Sequence, residues 1–178
     1  MWNASNLTRR AAIQIGATAA GVAAVGVEFG FASEYKPKFF SPEEFVTLDE
    51  LAELIIPADD HSPGARAAGV AAFIDGRLAE SIDDTERNEW QEGLKRIDIL
   101  TRELYSVPFM QATPDERIAL LTQIAKDEQD PRTPDQRFFV RLKSNTASAY
   151  YSSKIGIHQE MEYKGNVLLP EFVGYEVK

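Results

Sequence analysis

The chain has 178 residues, a formal charge of -9 and no cysteine. That length suits a single domain with its own core. The acidic balance, without a clustered Lys/Arg footprint, argues against nucleic acid as a partner, and the lack of cysteine excludes disulfides, iron–sulfur clusters, thiolate zinc sites and covalently attached c-type haem.

Residues 1–32 read as a targeting segment. Thr8-Arg9-Arg10 precedes an uncharged stretch of Ala, Gly, Val, Ile and Thr over residues 11–27, the layout of a charged n-region and an apolar h-region. The pair Arg9 and Arg10 makes it a twin-arginine signal, although Ala12 and Gln14 depart from the usual pattern. Gly30-Phe31-Ala32 offers a small-x-Ala cleavage site. Two alternatives stay open: an Ala/Gly-rich leader of a cytosolic protein, and a single, weakly apolar membrane anchor.

Residues 33–178 read as one helical domain. After a short polar and aromatic tether, three sequences carry the same punctuation: Ser41-Pro42-Glu43-Glu44, Thr113-Pro114-Asp115-Glu116 and Thr133-Pro134-Asp135-Gln136. Each places a hydroxyl at a helix N-cap, proline at the first helical position and Glu or Gln at the third, which satisfies the free N–H groups of a first turn. Each is followed by an apolar stripe of helical period. Phe45, Leu48, Leu51, Leu54 and Ile55 follow the first, until Pro57 stops the helix. Ile118, Leu121 and Ile124 follow the second, and Phe138, Leu142 and Ala149 the third. Between them, Val70, Phe73, Ile74 and Leu78 predict a short helix. Trp90, Leu94, Ile97 and Leu104 predict a longer one between Asp84 and Tyr105. Nothing alternates with period 2 for long enough to make a sheet. The prediction is an all-α fold, a compact bundle of about five helices that ends in an irregular C-terminal tail.

Residues that could carry chemistry are few. No Gly-x-Gly-x-x-Gly or phosphate-cradling loop is present, so the chain has no local signature for holding a flavin or nicotinamide. Of the two histidines, His61 lies in Asp59-Asp60-His61-Ser62-Pro63-Gly64, where an Asx-capped turn competes with a metal site. His158 has no relay partner near it in sequence. The acids Asp83, Asp84, Asp127, Glu128 and Asp130 read as solvated helix surface.

The last quarter has no regular period. It holds Tyr150-Tyr151-Ser152-Ser153-Lys154-Ile155-Gly156-Ile157-His158, then Glu160, Glu162, Tyr163, Lys164, Gly165 and Asn166, and reads as an ordered surface segment of the kind that carries function. One of Tyr150 and Tyr151 can close the last helix while the other faces outward, where tyrosine is enriched in interfaces. Gly156, Gly165 and Asn166 can take positive φ and fold the tail tightly. Lys154, Glu160, Glu162 and Lys164 form its charged rim.

The stretch from Tyr150 to Asn166, with Pro170-Glu171-Phe172-Val173-Gly174-Tyr175, resembles the C-terminal signature of the gluconate 2-dehydrogenase subunit 3 family. Leu54-Ile55-Ile56-Pro57-Ala58-Asp59-Asp60 through Gly64, and Ala68-Gly69-Val70 through Phe73-Ile74-Asp75, extend the resemblance. What it implies is a non-catalytic small subunit with no cofactor or metal of its own. The partner is a large FAD-dependent subunit of the glucose-methanol-choline oxidoreductase type, and a multihaem cytochrome c subunit can take the electrons. The small subunit carries the signal read by the twin-arginine translocase, which places the complex in the periplasm, there free or held at the membrane. The interface then draws on Tyr150, Tyr151, Ile155, Gly156, His158, Tyr163, Lys164, Gly165, Asn166, Phe172 and Tyr175. The rival reading is an independent helical enzyme that uses His61 or His158; a free-standing structural protein is the third.

Overall fold

Proline fixes φ for a first helical turn and the preceding hydroxyl turns back on the N–H two or three residues ahead, so three helix starts are set locally. In the computed structural model, which describes residues 35–163 and 165, all three are reciprocal capping boxes. Glu44 N–H donates to Ser41 Oγ (3.2 Å) while Ser41 N–H donates to Glu44 Oε2 (2.9 Å). Thr113 with Glu116, and Thr133 with Gln136, repeat it. The helices are α1 Pro42–Ile55, α2 Gly64–Ala67, α3 Val70–Glu80, α4 Asp84–Tyr105, α5 Pro114–Ile124 and α6 Pro134–Ser152. The carboxylate of Asp83 caps α4 by accepting from the N–H groups of Thr85 and Glu86. Among the described residues there is no strand, and no helix is long and apolar enough to cross a membrane. Arg9, Arg10, Lys164, Asn166, Phe172 and Tyr175, with the export signal read over residues 1–32, lie outside the described residues.

The core is one cluster to which α1, α3, α4, α5 and α6 all contribute. Trp90 of α4 is fully buried in it, edge-on to Phe138 of α6 (centroids 5.6 Å) and to Phe40 (6.4 Å). Gly93, one turn on, lets α6 approach: a Cβ there would fall inside the Phe138 ring.

Three apolar residues expected inside are exposed instead. Phe73 turns outward because α3 is rotated to bring Asp75 into the core beside Ile74 and Leu78. Ile118 turns outward because α5 buries Arg117, 9% exposed, together with Leu120, Leu121 and Ile124. The Arg117 guanidinium is satisfied there: it donates to the carbonyls of Phe109, Met110 and Ala112 and to Glu50 Oε1 (2.7 Å). Leu104 lies in the last turn of the 22-residue α4 and is left uncovered, while Thr101, three residues earlier, is buried and donates its hydroxyl to the Ile97 carbonyl.

Candidate functional site

The loop of residues 57–63 and the end of α6 come together at one end of the domain. The loop is a tight turn organised by carboxylates. Asp59 Oδ1 accepts from the N–H groups of His61 (2.9 Å) and Ser62 (2.8 Å), the Asx arrangement expected of this sequence. Glu53, at the end of α1, accepts from Ala58 N–H and Arg66 N–H, so it holds both sides of the loop. Gly64 closes the turn at φ +80, where a Cβ would strike the Ala58 nitrogen and the Glu53 carboxylate. Glycine alone fits both demands.

Ser62, buried, meets the hydroxyl of Tyr150, and this contact ties the loop to α6. Tyr150 is 1% exposed, and its ring packs in the core. Burial, then the charges of Glu160, Tyr151, Asp59 and Glu53 around it, push its phenol above the ordinary tyrosine range. The two tyrosines therefore split. Tyr151 packs edge-on against Tyr150 (5.3 Å) yet is 44% exposed. Tyr150, expected at the partner surface, has no ring area left to offer; its role is to hold the loop in place.

Beyond α6 the chain does not become irregular at once. Ser153 Oγ accepts from Gly156 N–H (3.0 Å), and a single π turn, Gly156–Glu160, follows. Such turns recur at functional positions in other proteins. Of the two glycines expected to take positive φ, Gly165 does (φ 93) and Gly156 does not. Gly156 serves close approach: a Cβ would collide with the Tyr150 carbonyl and the Tyr151 backbone. Ile155 packs half-buried on the core. His61 Nε2 lies 3.3 Å from the Glu160 carbonyl, so the turn is tied to the loop as well. His158 is exposed on this turn, and Met161 and Tyr163 leave about half their surface open beside it. Tyr163 N–H donates to the Ile157 carbonyl, which folds the chain back over the turn.

Chemically, this end offers aromatic and thioether surface on a fixed frame. Among the described residues no group of three or more His, Asp or Glu is placed to hold a metal. Asp59 Oδ1, which flanks His61, accepts from backbone N–H groups, and the His61 ring meets a carbonyl oxygen. A separate open groove of ≈ 850 Å³ between α1 and α4 is lined by Val46, Leu94, Ile99, Pro108 and Met110, with surface ion pairs at its edge.

Two polar arrangements were not anticipated from the sequence. Glu50 bridges Arg66 (2.7 Å) and Arg117 (2.7 Å), while Asp49 also pairs with Arg66. Asp75, in α3, binds the chain that precedes α1. The only sequence signal for either is a charged residue in phase with an apolar stripe.

The family model of gluconate 2-dehydrogenase subunit 3 matches residues 42–167, well over half of the chain. No curated protein and no solved structure matches. The matched range takes in α1 to α6, the 57–63 loop, the π turn and the exposed Tyr151 and Tyr163. By that match the chain belongs to the gluconate 2-dehydrogenase subunit 3 family, whose name denotes one subunit of a dehydrogenase complex.

Proposed function

We propose that this chain is the non-catalytic small subunit of a periplasmic flavin-dependent sugar or sugar-acid dehydrogenase. It stabilises a large FAD-bearing subunit of the glucose-methanol-choline type and escorts it through the twin-arginine translocase. The observation that carries this reading is the exposed Tyr151, Met161 and Tyr163 on a frame fixed by Ser62–Tyr150 and His61–Glu160. Large, rigid side chains held in place lose little entropy on binding, which is what interface anchors require. Lys154 and Glu162 stand at the rim of that surface, with Lys164 next in sequence. A standard interface buries roughly 1,600 Å² in total, so residues beyond these three take part. The flavin chemistry belongs to the large subunit; a cytochrome c subunit fits as its electron acceptor.

The escort role rests on Thr8-Arg9-Arg10 in the leader. Its test is to co-express the full chain with a flavoprotein of the glucose-methanol-choline type from its own host and assay flavin-dependent dehydrogenase activity in periplasmic and cytoplasmic fractions. With Arg9→Lys and Arg10→Lys combined, activity and flavoprotein both remain in the cytoplasm. A flavoprotein that reaches the periplasm equally well with the altered leader, or with no small subunit, overturns the escort role.

A further inference from the structure

The segment from Tyr35 to Phe40, which the sequence suggests is a simple tether, is a bound strap. Its donors converge on one side chain. Lys38 N–H (2.7 Å) and the Tyr35 hydroxyl (2.8 Å) donate to Asp75 Oδ2, and Phe39 N–H (3.1 Å) and Phe40 N–H (2.9 Å) donate to Oδ1. Asp75 is 0% exposed. These four donors are neutral groups, so the buried charge is held by hydrogen bonds from the strap itself. The arrangement is reciprocal. Without the strap, the Asp75 carboxylate would lose these four donors; without Asp75, three successive backbone N–H groups would lose their acceptor.

The strap's side chains reach three helices. The Tyr35 ring stacks on Phe45 of α1 (5.3 Å), and its hydroxyl also donates to the Ala72 carbonyl of α3 (3.2 Å). Phe39 lies under the Arg87 guanidinium of α4 (5.1 Å), and Phe40 is buried against Trp90. The full set of seats is drawn from α1, α3 and α4, so it is in place only when the three helices have packed together. Burial and the Asp75 hydrogen bond push the Tyr35 phenol up to about 12, as a hydroxyl that donates to a carboxylate requires.

We propose that Asp75 is a latch that docks the 35–40 strap only on an assembled bundle, so that the chain next to the leader is held or free according to whether the domain is folded. The strap directly follows the segment read as the export signal. If the export reading above is right, the latch gives a translocase a local sign of the folded state. The latch itself does not depend on that reading.

The test is limited trypsin digestion of the full chain. Lys36 precedes Pro37 and is passed over, so Lys38–Phe39 is the cleavable bond of the strap. Its side chain is exposed while the N–H groups on both sides of the bond are held by Asp75. Cleavage there tracks the population of the undocked strap. Asp75→Asn puts an NH2 group against N–H donors. It should speed cleavage at Lys38 by roughly tenfold or more, with far-UV circular dichroism unchanged and cleavage after Lys95, within α4, not accelerated. Tyr35→Phe removes one of the four donors and should give a smaller acceleration at the same bond; it carries the test if Asp75→Asn does not fold. Unchanged cleavage at Lys38 in both variants overturns the latch. So does a rise at Lys38 and Lys95 together, because the strap would then open only with the whole bundle. Normal export of a variant whose strap is selectively cleaved overturns the translocase consequence and leaves the latch standing.

Discussion

Tyr150 and Tyr151 are neighbours of the same type, and alanine at each should have opposite consequences. Tyr150 is buried to 1%, and its hydroxyl holds Ser62 of the 57–63 loop. Removing the ring leaves a cavity, which for buried aromatics costs about 3 to 5 kcal/mol. The orphaned Ser62 hydroxyl adds about 1 kcal/mol or more. A total of about 4 to 6 kcal/mol is a large share of the roughly 5 to 15 kcal/mol that holds a domain folded. Tyr151→Ala loses an edge-on ring contact and surface already 44% open, which amounts to about 1 kcal/mol. Urea denaturation followed by circular dichroism reads both: a large fall in midpoint for Tyr150→Ala, with Tyr151→Ala close to wild type. Binding to the flavoprotein should show the reverse for Tyr151, with a loss of about 2 kcal/mol if it is an interface anchor. Equal stability losses at the two positions would refute the assignment of one ring to the core and the other to the surface.

Gly93→Ala should destabilise the domain by about 1 to 3 kcal/mol in thermal denaturation, because the new Cβ falls within the Phe138 ring, itself packed edge-on against Trp90. Burial opposes the charge on Asp135, yet two hydrogen bonds from Arg96, its own backbone at the α6 N-terminus and the Thr133 hydroxyl hold its pKa below the ordinary carboxylate value. The folded carboxyl therefore titrates lower than the unfolded one. Its stabilisation is present above about pH 4 and is lost as the pH falls through the depressed folded value. Asp135→Asn should be less stable than wild type at pH 6, and chemical denaturation at successively lower pH should show the gap narrowing only below about pH 4.

Where structure is decided by a few adjacent residues, the sequence shows it plainly. Ser41, Thr113 and Thr133 cap their helices with partners three residues away, and Asp59 folds its own turn, so both are legible without the rest of the chain. The rotation of α3 and α5 is decided by groups far along the chain. Asp75 faces inward to meet N–H groups at residues 38–40, and Arg117 faces inward to reach Glu50, 67 positions away. A polar residue on a buried face reads as an interruption of the stripe, so Phe73 and Ile118 are misassigned to the core. The Tyr150–Tyr151 pair shows the same limit at the candidate site. Helical period alone allows either ring inside, and it is Ser62, on another element, that decides. The π turn needs Gly156 to fit under the Tyr150 carbonyl, a tertiary constraint without a periodic signature.

The subunit role is tested most directly by a pull-down of the tagged full chain from its own host, with mass spectrometry and an absorption spectrum of the eluate. The account predicts a stoichiometric flavoprotein of the glucose-methanol-choline type and a yellow sample with flavin bands; a colourless chain recovered alone would contradict it.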